Sequence, residues 1–366
     1  MKQTTISNHK NLGLDIARCV AILFVLIAHG TLFFWKYNTN LNNLIMLGFF
    51  GVEIFFALSG YLIGGILLKD VFNSDNSKKV NLFRFYLRRW FRTLPLYYIV
   101  VFVLFLKNRD TFTWQNLLFL QNFDHKSLNF FAVSWSLSIE EWFYFFIPLV
   151  IFLVIKSTRK TKSSFLGVCL FFIIFSPIAR ILLVTLSDPS FDFGVRKQIL
   201  FRFDAMSYGM LFAGLRHFYP NIFKNLVKGK IFLITSLVGF LISFIYYVPI
   251  QFGKFNELFF ARTLFFSFVA ISSSIFVVGL EKITTNISSK NFFTILVSFV
   301  SLTSYSAYLV HTEVFSLFLK IDSSTNNILI SGLTFLFALM VVFLISGLSY
   351  NYFEKYWLKL RDKITK

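Results

Sequence analysis

Charge is scarce in this sequence: Asp, Glu, Lys and Arg together make up 14% of the 366 residues, against about 25% in ordinary soluble domains. A soluble fold of this length would lack the polar groups needed to clothe its surface. Cysteine occurs only at Cys19 and Cys169, both inside apolar runs. That excludes a disulfide framework and a cysteine-built zinc site, and the two read as small packing residues; no metal is expected. The six prolines are scattered and mark no linker. What fills the chain is apolar: 56% hydrophobic and 20% aromatic residues, including 53 Phe, with a mean hydropathy of +0.69. Disorder requires the opposite composition. Outer-membrane barrels alternate apolar and polar residues, whereas the runs here are continuous. The expected fold class is therefore all-α, a polytopic integral membrane protein.

A spanning helix needs about 20 mostly apolar residues. About ten such runs are expected, at 14–34, 44–68, 85–106, 131–155, 165–186, 199–215, 231–249, 258–280, 292–318 and 328–350. The third is short on its own and starts further back, among the arginines at 84–92. The first run is not read as a cleaved signal peptide, because others follow it and it holds Arg18 and His29. With ten helices and the N-terminus inside, the loops on the inner side hold 24 of the basic residues and the opposite loops 8. This bias is what the positive-inside rule predicts for an N-in, C-in chain. Topology thus accounts for most of the net charge of +19, and no nucleic-acid partner is expected. Loops and tail are too short for a second folded unit, so 1–366 reads as a single membrane domain without an extramembrane esterase-like domain.

Ionisable groups inside spans are costly and are functional-site hypotheses by default. The first span carries Asp15, Arg18 and His29. Eleven residues at 100° each return to within about 20° of the same face, so His29 lies above Arg18 by about 16 Å. Asp15 sits one turn below Arg18. In the second span Glu53 stands alone among aromatics, and Gly60-x-x-x-Gly64 has the spacing of close helix packing. Next, FRFYLRRWFRTLP (83–95) places Arg84, Arg88 and Arg92 on one helical side with Arg89 adjoining. Its interleaved aromatics suit anchoring to anionic lipid; its guanidiniums equally suit a phosphate-bearing ligand. SWSLSIEEWFYFFIP (134–148) holds Ser136, Glu140 and Tyr144 on one face, with Glu141 about 100° away. A carboxylate in the same half as His29 can orient an imidazole, bind a cation or carry protons. Arg202 in RFDAMSYG, Arg262, and Tyr305 and His311 in SYSAYLVHTE (304–313) complete the set. His9, His125 and His217 lie in tails or loops and read as solvated.

Taken in order, these segments resemble the membrane-bound acyltransferase 3 family, over nearly the whole chain. LGLDIARCVAILFVLIAHG fits its arginine, ten residues, histidine motif at Arg18 and His29. GFFGVEIFFALSGYLI matches the glycine- and aromatic-rich second helix with its acidic residue at Glu53. Arg89-x-x-Arg92 before Pro95 fits the two-arginine motif, and SWSLSIEEWFY the Ser-Leu-x-x-Glu signature at Glu140. SYSAYLVH and the closing YNYFEKYW, with Glu354, also fit. Some members add an esterase-like domain outside the membrane, and this chain resembles the stand-alone form.

The resemblance implies a membrane-bound O-acyltransferase in the inner (cytoplasmic) membrane, with acyl-CoA (acetyl-CoA expected) as co-substrate and no permanently bound cofactor. The implied acceptor is a hydroxyl of a lipid-linked or exported envelope glycan, with membrane lipids as further partners. Arg18, Arg88, Arg89 and Arg92 are the expected acyl-CoA-binding residues. From Leu14 to His29 is about 22 Å of helix rise, comparable with a pantetheine arm. His29 is expected to act as general base with Glu140 or Glu141 orienting it, or to carry the acyl group itself. Asp15, Glu53, Ser136, Arg202, Tyr305 and His311 are expected in supporting roles. The competing reading is a proton-coupled transporter, since buried His, Glu and Arg suit a relay, although no duplicated halves are visible.

Overall fold

The computed structural model describes residues 11–37, 40–71, 82–247, 254–283, 291–324 and 326–365. Ten principal helices carry the fold: α1 (Leu12–Gly30), α2 (Met46–Ile66), α3 (Leu82–Lys107), α4 (Trp135–Thr158), α5 (Thr161–Ser187), α6 (Phe203–Phe218), α7 (Gly229–Tyr247), α8 (Phe265–Ile283), α9 (Phe292–Asp322) and α10 (Ile328–Leu348). No strand occurs among the described residues. Among them, nine helices are long and apolar enough to cross a membrane. The chain is a polytopic, all-helical membrane protein. The expected charges at Lys2, Lys10, Lys78, Lys79, Lys290 and Lys366, the solvated His9 and the end of the 231–249 run lie outside the described residues.

The expected span at 199–215 is the exception. Helix α6 has only 16 residues, about 24 Å of rise, and it opens beside the buried Arg202 and Asp204. It is an interior helix seated against α2. The fit depends on glycine: a Cβ at Gly60 would land on the carbonyl of Met206, and one at Gly209 on the carbonyl of Ala57. Backbones approach so closely because neither glycine interposes a side chain. The packing reading of Gly60-x-x-x-Gly64 therefore holds, as Gly64 also faces Met210 and Ala213.

Helix α2 is the most enclosed span, with 72% of its apolar window buried, against 17% for the span built on α10 and 22% for α7. The peripheral helices turn Leu186, Leu329 and Leu333 outward, as expected of surfaces solvated by lipid tails. Side-chain caps set the starts of two central helices. Asn11 accepts from the amides of Gly13 (3.1 Å) and Leu14 (3.3 Å) at α1, and Asn291 from Thr294 (3.0 Å) at α9, satisfying donors that have no intrahelical partner. Helix α3 runs through the arginine segment and past Pro95 without a break.

Between α3 and α4 the chain makes short turns and one brief helix (His125–Phe130). Asp124 caps that helix. The Ser127 hydroxyl (2.6 Å) and the amides of Ser127 (2.9 Å) and Lys126 (3.3 Å) donate to its carboxyl and hold it below the usual carboxylate range. Buried amides fix this segment to the start of α4. Gln121 Nε2 donates to Ser134 Oγ (2.9 Å), and Asn122 Nδ2 donates to the carbonyls of Trp135 (2.9 Å) and Lys197 (2.6 Å).

Candidate active site

A cavity of about 100 Å³ lies within the bundle, walled by α1, α2, α3, α4 and α9. Three guanidiniums line it, Arg18, Arg89 and Arg92, against one carboxylate, Glu140. Each arrives from a different constraint. Arg18 Nη1 donates to Asp15 Oδ1 at 2.9 Å, one turn below on α1, and Ser301 Oγ of α9 donates to the same oxygen at 2.7 Å. Arg89 lies 3.7 Å from Glu140 and sits 3.9 Å over the Tyr144 ring. Arg92 lines the cavity while remaining exposed. Arg88, expected beside them, points elsewhere: it is exposed and absent from the lining. A helical stripe spreads four arginines over too wide an arc for one cavity to collect them all.

Glu140 is held on several sides. Ser59 Oγ donates to it at 2.6 Å, and the Tyr144 hydroxyl donates to the same oxygen. Glu141 takes a different neighbour, accepting from Thr93 Oγ1 at 2.9 Å. Tyr305 of α9 donates to the carbonyl of that same Thr93 at 2.8 Å. The adjacent glutamates thus turn to separate partners, as their 100° offset requires. Their surroundings are the arginine-bearing segment and its cavity.

His29 and His311 meet at the other end of this wall. His29 Nδ1 lies 3.0 Å from the Val25 carbonyl and 3.3 Å from His311 Nε2, with ring centroids 4.8 Å apart. His311 is fully buried, while His29 is partly open. The expectation that Glu140 or Glu141 orients His29 is corrected here. Both carboxylates are committed around Arg89 and Thr93, and the imidazole that meets His29 belongs to His311. Tyr308 stands between this pair and the cavity: it lines the cavity, its ring centroid is 5.8 Å from that of His311, and its hydroxyl pairs with Ser136 Oγ at 2.6 Å and donates to the Val133 carbonyl at 2.9 Å. Ser136 is therefore part of the wall, through Tyr308.

Glu53 and Arg202 do not reach the cavity. They form a fully buried ion pair with each other, and Arg202 also lies 4.3 Å over the Phe266 ring. Beside them Arg180 grips Asp204 with both ends of its fork (3.1 and 2.7 Å). Sequence reasoning passed over Ser59, Thr93 and Tyr308. Tyr308 was detectable as the residue one turn before His311 on the same face. Ser59 and Thr93 carried no comparable signal, because their partners come from other helices.

An all-helical membrane bundle with a cationic cavity next to a histidine pair defines the class of protein. Residues 11–350 match the family model described as an acyltransferase domain, and the chain belongs to that family. Among curated relatives, it is similar to a protein of Staphylococcus aureus (strain COL) provisionally assigned as an O-acetyltransferase, 32% identical over 180 residues (43% of this chain, 28% of the relative). It is also similar to the peptidoglycan O-acetyltransferase OatA of Listeria monocytogenes, 29% identical over 184 residues (44% of this chain, 28% of the relative). The O-acetyltransferase OatA of Staphylococcus aureus (strain NCTC 8325) is 33% identical over 161 residues (38% of this chain, 24% of the relative). The matched stretches thus span less than a third of the length of these relatives. No solved structure matches.

Proposed function

We propose that this chain is a membrane-bound O-acetyltransferase that moves an acetyl group from acyl-CoA to a hydroxyl of a cell-envelope glycan. The observation that carries this reading is a single cavity lined by Arg18, Arg89 and Arg92 whose far wall, Tyr308, packs against His311 and so against the His29 pair. The family and the names of the relatives support acyl transfer to oxygen, and OatA of Listeria makes peptidoglycan the first acceptor to try. Over the first five spans, whose order does not depend on α6, the inner side holds 13 basic residues and the outer side 4; this supports an N-terminus on the inner side of the inner membrane and puts the arginines toward the cytoplasm, where acyl-CoA is made. Guanidinium forks match the oxygens of CoA phosphates, and the acyl arm reaches past Tyr308 toward His29.

In the transfer, His29 takes the proton of the acceptor hydroxyl as its oxygen attacks the thioester carbonyl. A C–O bond forms, the C–S bond breaks, and the CoA thiolate leaves with the proton that His29 returns. The test uses membranes holding wild type or His29→Ala with acetyl-CoA, following free CoA with and without extracted peptidoglycan. Glycan-dependent release is expected, falling about 10²–10⁴-fold in the variant, while acetyl-CoA still binds. Unchanged turnover in His29→Ala removes that residue from the chemistry. A wild type that neither releases CoA nor binds any acyl-CoA puts a proton-coupled transporter ahead.

A further inference from the structure

From the donors and acceptors around His311 we infer that it is a positioning residue: it fixes His29 with its proton on Nδ1 and its lone pair on Nε2. His311 Nδ1 faces two carbonyl oxygens of its own helix, Tyr308 at 2.8 Å and Ala307 at 3.2 Å. Carbonyls only accept, so this nitrogen carries a hydrogen. His29 Nδ1 likewise faces the Val25 carbonyl at 3.0 Å and carries one too. The remaining contact is His311 Nε2 to His29 Nδ1 at 3.3 Å. Two N–H groups cannot point at each other, so His311 Nε2 is the bare nitrogen and accepts a share of the His29 Nδ1 hydrogen. With both imidazoles neutral, one arrangement satisfies all the contacts. The hydrogens run from His29 Nδ1 to His311 Nε2 and from His311 Nδ1 to the α9 backbone, which leaves His29 Nε2 as the lone-pair atom.

The consequence for the reaction rests on the acyl-transfer reading; the tautomer does not. A base needs an unprotonated nitrogen aimed at its substrate, which is the task a carboxylate performs in hydrolase triads by accepting from Nδ1–H. Here a neutral imidazole does so. When His29 gains the hydroxyl proton at Nε2, its Nδ1–H bond to His311 becomes charge-assisted and shortens. Burial of His311 and its two backbone bonds keep the acceptor from turning away.

The test is carried out on full-length protein in lipid nanodiscs with 15N-labelled histidine, and His29 signals are assigned by their loss in His29→Asn. Wild type is expected to show a protonated Nδ1 and bare Nε2 at His29. His311→Gln, whose amide oxygen can accept in place of Nε2, keeps this pattern, and His311→Leu, which leaves only the Val25 carbonyl to accept, shifts it to a mixture of Nδ1–H and Nε2–H tautomers. In the CoA-release assay His311→Leu lowers kcat by about 10²-fold, less than the ~10⁴ lost with a triad carboxylate, while KM for acetyl-CoA stays. His311→Gln recovers most of the rate. A wild-type His29 protonated at Nε2, or an unchanged pattern or kcat in His311→Leu, overturns the inference. The expected tautomer with no CoA release from wild type upholds the geometry and overturns acyl transfer instead.

Discussion

Two groups of arginines lie inside this bundle, and they differ in space and in charge balance. Arg180 and Arg202 are each matched to one carboxylate, Asp204 and Glu53, and all four side chains are fully buried. Arg18, Arg89 and Arg92 surround an open cavity with a single glutamate in its lining and keep partial exposure. A one-to-one pair in a low-dielectric interior is balanced in charge and ties its helices together, although Glu53 Oε2 and Arg202 Nε and Nη1 find no hydrogen-bond partner among the described residues. A surplus of guanidinium around empty space is incomplete, and an anion completes it. The histidine positions make the same point in miniature: His311 is buried and spends both nitrogens on the protein, while His29 is partly open and makes both of its contacts through Nδ1.

Substitutions can separate the two groups. The largest effect is expected from Glu53→Ala, which strands Arg202 uncompensated. Loss of one partner of a buried pair costs about 3–5 kcal/mol, seen as a lower unfolding midpoint and loss of monodisperse protein in detergent. A midpoint like wild type would erase the distinction drawn here. Gly60→Val comes next, because its side chain meets the Met206 carbonyl. Overpacking of about 1–3 kcal/mol should appear in the same thermal measurement.

Arg92→Gln should leave the midpoint alone and weaken acetyl-CoA binding, measured by calorimetry. A lost hydrogen bond to a charged group is worth about 1.5–3 kcal/mol, or roughly 10- to 100-fold in Kd. A destabilised but fully binding Arg92→Gln would move this arginine into the structural group. The smallest change belongs to Asp15→Asn, which removes the carboxylate beside Arg18. For a partly exposed pair, an effect of about 0.2–1 kcal/mol corresponds to binding changed by no more than about fivefold. That difference should shrink at high salt.

Much of this was legible along the chain, for reasons specific to each element. Continuous apolar runs marked out the nine helices, among the described residues, that are long and apolar enough to cross a membrane, because lipid demands both length and composition. The run at 199–215 misled because apolar content alone does not separate a helix facing lipid from one packed against another helix. Its glycine at 209 and its buried Arg202 and Asp204 were the available warnings. Arg18 and His29 were placed on one stripe by helical periodicity; Arg18 lines the cavity, and His29 meets His311 beyond Tyr308. The pairing of His29 with His311 was not legible, since 282 residues separate them and no periodicity links separate helices. The glutamates were assigned to His29 because they were placed in its half of the membrane, whereas packing sets them beside Arg89 and Thr93 at the arginine end of the wall.

By itself, then, the sequence determined the helices, their order and the helical face that carries each polar residue, because apolar length and a 3.6-residue repeat are local properties of the chain. Which polar groups face one another was decided only by tertiary packing. Glycines at 60 and 209 let α2 and α6 touch backbone to backbone, and the rotations of α1, α4 and α9 within the bundle chose His311 for His29, Thr93 for Glu141 and Arg89 for Glu140. Those choices depend on distances between segments far apart in the chain, and close packing settles them together, since side chains fill the space between helices in only one mutually consistent way.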